Sequence, residues 1–464
     1  MNLFPIILAA GQGTRMRSSL PKVLHTIGGK PMLQHVIESC QQLDVEKTAI
    51  IYGHGGQQVR QVIEQAFEQT PDKAGDLLWV EQAEQKGTGH AVAQAQSLID
   101  DDALVIIAYG DVPLIKSETL LQLAEKLEDA NLAVLTAIQE KPQGYGRIVR
   151  NAEGKIESIV EDKDASEEQR QIREINTGFI AAKGADLKRW LTQIKPNNAQ
   201  GEYYLTDCVA LAVAEGGVVE ALVCEDPLEA EGVNDRAQQA KLERAYQAAQ
   251  AKQLLEAGVT LLDPARIDIR GSLVSGKDVS IDVNNVFLGK VVLGERVQIE
   301  SGCVIKDAVI GDDCCIKANS VIDSAIIENH CDIGPFARVR PDTLVKENAR
   351  VGNFVEIKKS TIGKGSKVSH LSYIGDTLMG ADVNIGAGTI TCNYDGVNKH
   401  QTTLGDRVFI GSDSQLVAPV TVGDDATIGA GSTITKDAPA GELTLSRANQ
   451  LTIKGWQKPQ KENK

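Results

Sequence analysis

Two hydrophobic patterns run along the chain and change over near its middle. Across residues 1–235, short apolar runs alternate with longer polar, helix-compatible stretches. The runs include PIIL (5–8), TAIIYG (48–53), LLWVEQ (77–82), ALVIIAYGD (103–111) and NLAVLTAI (131–138). Strands that are apolar throughout belong to a mainly parallel sheet with helices on both faces. The pattern predicts a doubly wound, Rossmann-like α/β domain. Residues 236–257, RAQQAKLERAYQAAQAKQLLEA, hold no Gly or Pro, with Asn234 or Asp235 able to cap the start and Gly258 the end. They predict a helical linker.

Over residues 258–464 the period becomes six. Aliphatic side chains recur at Leu404, Ile410, Leu416, Val422, Ile428 and Ile434, and at Ile333, Val339, Val345, Val351 and Ile357. Shorter phased pieces run through Leu293, Ile299 and Ile305, and through Ile310, Ile316 and Ile322. A strand repeats every 2 residues and a helix every 3.6, so neither gives this period. A left-handed parallel β-helix of hexapeptide repeats, with three short faces per coil, does. Between Ile385 and Leu404 the interval stretches to 19 residues around TCNYDGVNKHQTT. The expected form is a loop thrown out from one face, a candidate site element.

Composition narrows the functional classes. The 464 residues are 42 % hydrophobic, enough for more than one core. A net charge of −15 opposes a general grip on nucleic acid or an anionic membrane. No apolar run is long enough to span a bilayer, and the amino terminus lacks a secretion signal, so the expected location is cytoplasmic, without membrane insertion. The eight cysteines show no C-x-x-C spacing, and reduced, mostly buried thiols are expected.

The chemistry begins at LAAGQGTRM, residues 8–16, behind the first apolar run. A glycine-rich turn lets backbone N–H groups approach an anion, and Arg15 adds a planar fork suited to phosphate oxygens. Lys22 follows, presented by Pro21. The spacing is neither that of the P-loop nor of the dinucleotide-binding fingerprint. Asp111 closes the apolar strand in AYGDVP, where a carboxylate at the carboxyl edge of a parallel sheet faces the ligand crevice.

The whole string LAAGQGTRMRSSLPK resembles the signature of the sugar-1-phosphate nucleotidyltransferases. With the hexapeptide half attached, the full chain resembles the bifunctional bacterial family of N-acetylglucosamine-1-phosphate uridylyltransferase / glucosamine-1-phosphate N-acetyltransferases. The resemblance implies that Leu8, Ala9, Ala10 and Gly11 line UTP and that Gln82, Gly87 and Thr88 read the uracil. Tyr109 and Gly110 flank a Mg²⁺ site made by Asp111 and Asn234. Gly146, Glu161 and Asn176 hold the sugar, and Arg15 and Lys22 meet transition-state charge. Family members vary where Gln12 stands, and nothing is read into it.

The same resemblance carries GKGSKVSHLSYIGD and NIGAGTITCNYDG to an acetyl-transfer centre. It makes His370 the general base and assigns Arg340, Lys358, Tyr373 and Asn384 to the sugar phosphate. Glu356 and Asn393 become supports for the base or the oxyanion. Ala387, Asn393, Tyr394, Ser412, Ala430 and Arg447 contact acetyl-CoA. It also implies a homotrimer with this site between subunits, and a product, UDP-N-acetylglucosamine, that feeds peptidoglycan and lipopolysaccharide synthesis. Two alternatives share the architecture: a single-function nucleotidyltransferase whose β-helix only assembles, against which the His370 cluster counts, and a non-enzymatic exchange-factor subunit. The latter has no need of Arg15, Lys22, Asp111 and Asn234 together.

Overall fold

The computed structural model describes residues 1–11, 13–53, 55–68, 76–459 and 461, so Gln12 lies outside the described residues. The chain divides into two compact units, Met1–Tyr246 and Gln247–Lys464.

In the first unit the sheet comprises β1 (Leu3–Ala9), β2 (Lys47–Tyr52), β3 (Asp76–Glu81), β4 (Leu104–Tyr109), β5 (Leu132–Ile138), β6 (Glu174–Lys183) and β7 (Val219–Val223), in the order β7-β5-β6-β4-β1-β2-β3. All neighbours are parallel except β6, which runs antiparallel to both β4 and β5. Arg147–Arg150 and Ile156–Val160 pair beside it. The apolar runs are apolar throughout because both faces are covered. Ile7, Ile50 and Ile106 enter one core, and Ile6, Ile51, Val105 and Ile107 the other. The chain moves outward from β1 through β2 and β3, then returns to β4 on the other side of β1. That switch opens a crevice at the carboxyl ends of β1 and β4.

A helix spans Arg236–Glu256. Of the two candidate caps, the structure uses Asp235, whose Oδ1 accepts from the Gln238 N–H at 2.9 Å, while Gln238 Oε1 accepts from the Asn234 N–H at 2.7 Å. The Asn234 side chain is therefore spared for other contacts.

The second unit is a parallel β-helix. One ladder runs through Val304, Val321, Arg338, Glu356, Tyr373, Ile390, Gln415 and Thr433, so most coils take 17 or 18 residues and one takes 25. The long coil holds the loop expected between Ile385 and Leu404. Every aliphatic residue of the six-residue pattern points inward, none more than 3 % exposed. The coils turn at columns of residues with positive φ, mostly Asp, Asn and Gly, such as Asp313, Asn348, Gly365, Asp382 and Asp425. All eight cysteines are free, six of them buried. No helix among the described residues is long and apolar enough to cross a membrane.

Candidate active sites

Leu8, Ala9, Ala10, Gly11, Lys22, Gln82, Gly87, Thr88, Tyr109 and Asp111 all line one cavity of about 370 Å³. It lies where β1 and β4 end, and the Gly110 N–H bonds to Leu8 O to hold those ends together at 3.0 Å. The glycine turn continues into a short helical turn, Thr14–Met16. Met16 anchors it, 1 % exposed, in a cluster with Ile27, Met32, Val233 and Leu242. Gly13 has φ +60, and a Cβ there would lie 2.6 Å from Lys22 Cβ. A side chain at this position would push Lys22 out of the cavity.

Lys22 Nζ pairs with Asp111 Oδ2 and lies 3.5 Å from Asn234 Oδ1, which also accepts from Arg15 Nη2 at 2.9 Å. Two side chains distant in sequence, Asp111 and Asn234, thus turn hard oxygens toward one cationic point. Such a donor pair suits Mg²⁺, which takes few protein ligands and keeps positions for phosphate oxygens and water.

Gly146, Glu161 and Asn176 also converge. A Cβ on Gly146 would lie 3.5 Å from both Glu161 Oε1 and Asn176 Cβ. Burial pushes the Glu161 carboxyl above its ordinary pKa, although Thr206 donates to its Oε1 at 3.2 Å. Tyr109, edge-on to Phe179, has its phenol pushed up by burial. Sequence reading missed Thr206, as well as Gln85, which donates to Ala10 O at 2.5 Å, and Glu202, which lines the cavity. Gln85 lies within the string EQAEQKGTGHA that holds Gln82, Gly87 and Thr88, while no motif marked Thr206 or Glu202.

In the second unit His370 is exposed at the end of the strand Lys367–His370, and its Nδ1 lies 2.8 Å from Asn353 Oδ1, its ladder partner one coil back. Nδ1–H donating to that oxygen leaves Nε2 as the basic nitrogen. The partners Val368, Ile385, Ile410 and Ile428 stack in successive coils, so His370, Ala387, Ser412 and Ala430, each two residues further on, follow one corner of the solenoid. Arg447 joins that column by donating to Ala430 O at 3.0 Å. Glycines before Ala387, Ser412 and Ala430 keep the corner narrow: a Cβ on Gly386 would lie 2.5 Å from Ser412 N.

Arg340 donates to Glu356 Oε1 at 2.7 Å, Glu356 pairs with Tyr373 in the ladder, and Lys358 Nζ lies 3.7 Å from Asp376 Oδ2. Asn393 donates to Asp376 Oδ2 at 2.5 Å. Neither Glu356 nor Asn393 touches His370. The His370 ring is instead held by Asn353, which sequence reading missed because ladder register alone sets it there. Lys399, on the inserted loop, lies against Lys358, whose like charge holds its ammonium below the usual range. Tyr394 caps the loop by donating to Gly396 O at 2.5 Å. Asn384 stands on the sheet that carries His370, paired with Lys367 and Phe409, whereas Lys358 and Tyr373 stand on the other sheet of the β-helix.

Fold and sites together define a nucleotidyltransferase joined to a hexapeptide-repeat transferase. Residues 5–179 match the MobA-like NTP transferase domain, residues 269–345 the GMPPB C-terminal domain and residues 401–436 the bacterial transferase hexapeptide (six repeats). A protein from Marinobacter nauticus named bifunctional protein GlmU is 54 % identical over 459 residues, 99 % of each chain. One of the same name from Methylococcus capsulatus is 54 % identical over 467 residues, covering 100 % of this chain and 99 % of its own. A solved UDP-glucose pyrophosphorylase complexed with UDP-glucose aligns with 53 % of this chain and 98 % of its own at 18 % identity and a TM-score of 0.44. The chain belongs to the family of bifunctional GlmU proteins. It is a bifunctional enzyme, a uridylyltransferase in its amino-terminal half and an acetyltransferase in its hexapeptide half.

Proposed function

We propose that the carboxyl-terminal unit acetylates glucosamine-1-phosphate from acetyl-CoA. The amino-terminal unit then joins N-acetylglucosamine-1-phosphate to UTP, giving UDP-N-acetylglucosamine and pyrophosphate. The observation that carries the uridylyl half is the single cavity in which a bare glycine turn, Lys22, Asp111 and Gln82 meet. A phosphate oxygen of the sugar attacks the α-phosphorus of UTP, and the bond to the bridging α–β oxygen breaks. The protein's work is alignment and charge neutralisation. Arg15 and Lys22 leave Asn234 and Asp111 to meet the triphosphate, while Gly146, Glu161 and Asn176 grip the sugar. Mg²⁺ held by Asp111 and Asn234 would neutralise charge on the phosphates.

In the acetyl-transfer reaction His370 Nε2 takes the proton from the attacking amine, with Asn353 holding the ring. Arg340, Lys358 and Tyr373 receive the sugar phosphate, and Lys399 adds a further cation there. The coenzyme runs along the corner from Ala387 through Ser412 and Ala430 to Arg447, against Asn393 and Tyr394. Asn384 belongs to the same site through a neighbouring copy in a homotrimer. The enzyme works in the cytoplasm. The test follows thiol release from acetyl-CoA with glucosamine-1-phosphate beside UTP-dependent pyrophosphate release. His370→Ala abolishes the first and spares the second. Wild type that releases pyrophosphate but never thiol would make the β-helix an assembly platform only.

A further inference from the structure

We infer that Asp376 is the clasp of the inserted finger, residues 393–401: it fastens both ends of the finger to the coil that carries Tyr373, and so holds the coenzyme residues against those that receive the sugar phosphate. The inference rests on the acetyl-transfer reading of the second site. The finger keeps its own shape. Tyr394 and Lys399 face each other across an antiparallel bridge. Asp395 Oδ1 accepts from the N–H groups of Val397 and Asn398 at 2.8 and 2.6 Å, and its Oδ2 lies 2.7 Å from His400 Nε2. The His400 N–H donates to Asn393 O at 2.8 Å, closing the base. These bonds shape the finger without tying it to the solenoid.

The ties meet at one residue. At the entry, Asn393 Nδ2 donates to Asp376 Oδ2 at 2.5 Å, and at the exit the Thr402 N–H donates to Asp376 O at 3.1 Å. A carboxylate oxygen only accepts, so the Asn393 NH₂ must be the group turned to it. Asp376 and Asn393 are 9 % and 7 % exposed, which shields their bond from water. The same Oδ2 lies 3.7 Å from Lys358 Nζ, and the Asp376 N–H donates to Lys358 O at 3.0 Å. One carboxylate oxygen is thus shared between the cation proposed for the sugar phosphate and the amide proposed for the coenzyme. The backbone serves this junction too. Asp376 has φ +48, which Asp and Asn adopt more readily than other side chains. A Cβ on Gly375 would lie 2.5 Å from Tyr373 Oη and 2.8 Å from Asn393 Nδ2, so its absence lets hydroxyl and amide sit side by side. A finger fastened in advance need not be ordered when the coenzyme arrives. Asp376 acts through Asn393 and Lys358 and is a positioning residue.

The experiment follows thiol release from acetyl-CoA with glucosamine-1-phosphate, beside residue-resolved hydrogen exchange, in full-length wild type, Asp376→Gly, Asp376→Ala and Asp376→Asn. Thermal melting of the carboxyl-terminal unit reports folding. In wild type the His400 amide is expected to exchange as slowly as that of Gln415 in the next coil. Asp376→Gly and Asp376→Ala should each speed exchange at His400 about tenfold and raise the KM for acetyl-CoA about tenfold, with a smaller change in kcat and none in exchange at Gln415. Glycine suits φ +48 and alanine does not, so agreement between them assigns the effect to the lost carboxylate. Asp376→Asn, whose Oδ1 can accept from Asn393, should return both readouts close to wild type. Folded Gly and Ala variants with wild-type exchange at His400 overturn the clasp, and faster exchange at an unchanged KM overturns its role in the site. Wild type whose His400 amide exchanges like an unprotected one overturns the clasp even if neither deletion variant folds. Wild type that releases no thiol overturns the acetyl-transfer reading, and exchange at His400 still judges whether Asp376 fastens the finger.

Discussion

Glu161, proposed to hold the sugar, carries a stability cost. Its carboxyl faces Gly146 and Asn176, and burial raises its pKa because the charged form has lost water. The folded state therefore holds this proton more tightly than the unfolded chain. Stability falls as pH rises from the ordinary carboxylate value through the raised one, and the penalty persists above it. Glu161→Gln should raise the melting temperature of the amino-terminal unit at pH 7–8, with the gain vanishing below the ordinary carboxylate pKa. The same variant loses a charged acceptor for the sugar, about 1.5–3 kcal/mol, or about ten- to a hundredfold in kcat/KM for uridylyl transfer. Melts from pH 4 to 8 beside pyrophosphate-release kinetics check both halves. At this scale the sequence was most legible where a residue type has few uses, as with Arg15 and Lys22 behind a bare turn. Thr206 and Asn353 escaped because Thr and Asn serve so many surface roles that only the partner beside them, Glu161 or His370, shows what they do.

Among the elements, the β-helix is the most predictable and the most exposed to cavity formation. Ile357 is fully buried between Val339 and Ile374 in successive coils. Ile357→Ala should cost about 2–5 kcal/mol, because coils on either side cannot close the gap without breaking ladder register. Denaturant unfolding should show that loss in the carboxyl-terminal unit, with uridylyl transfer unchanged before the transition. The six-residue period was readable because every sixth side chain meets the same stack. The corners were not, since positive φ falls on Phe336, Phe354 and Leu371 as well as on Asp, Asn and Gly. Those three follow one another next to Asn353 and His370, with Phe336 and Phe354 stacked at 5.3 Å. Strand β6 was also hidden, because an antiparallel strand inserted between β4 and β5 changes no local pattern.

For the whole molecule, the proposed acetyl-transfer site draws on both sheets of the β-helix, His370 and Asn384 on one and Lys358 and Tyr373 on the other, and in the proposed homotrimer it lies between copies. The uridylyl cavity draws all its lining from one unit. On the proposal that a homotrimer completes this site, dilution should reduce acetyl transfer per chain before it touches uridylyl transfer. Rates measured beside light-scattering mass over the same concentrations test this, and parallel loss of both activities would count against it. By itself the sequence determined the two architectures, the linker helix and the glycine turn, because periodic burial and φ preference are written in local residue types. It also carried the family signature that pointed to both activities. Tertiary structure decided which distant groups meet: Asp111 with Asn234 at one cation, Thr206 at Glu161, and Asn353 behind His370. Such meetings depend on strand order and coil register, which fix neighbours in space without leaving a mark between them in the chain.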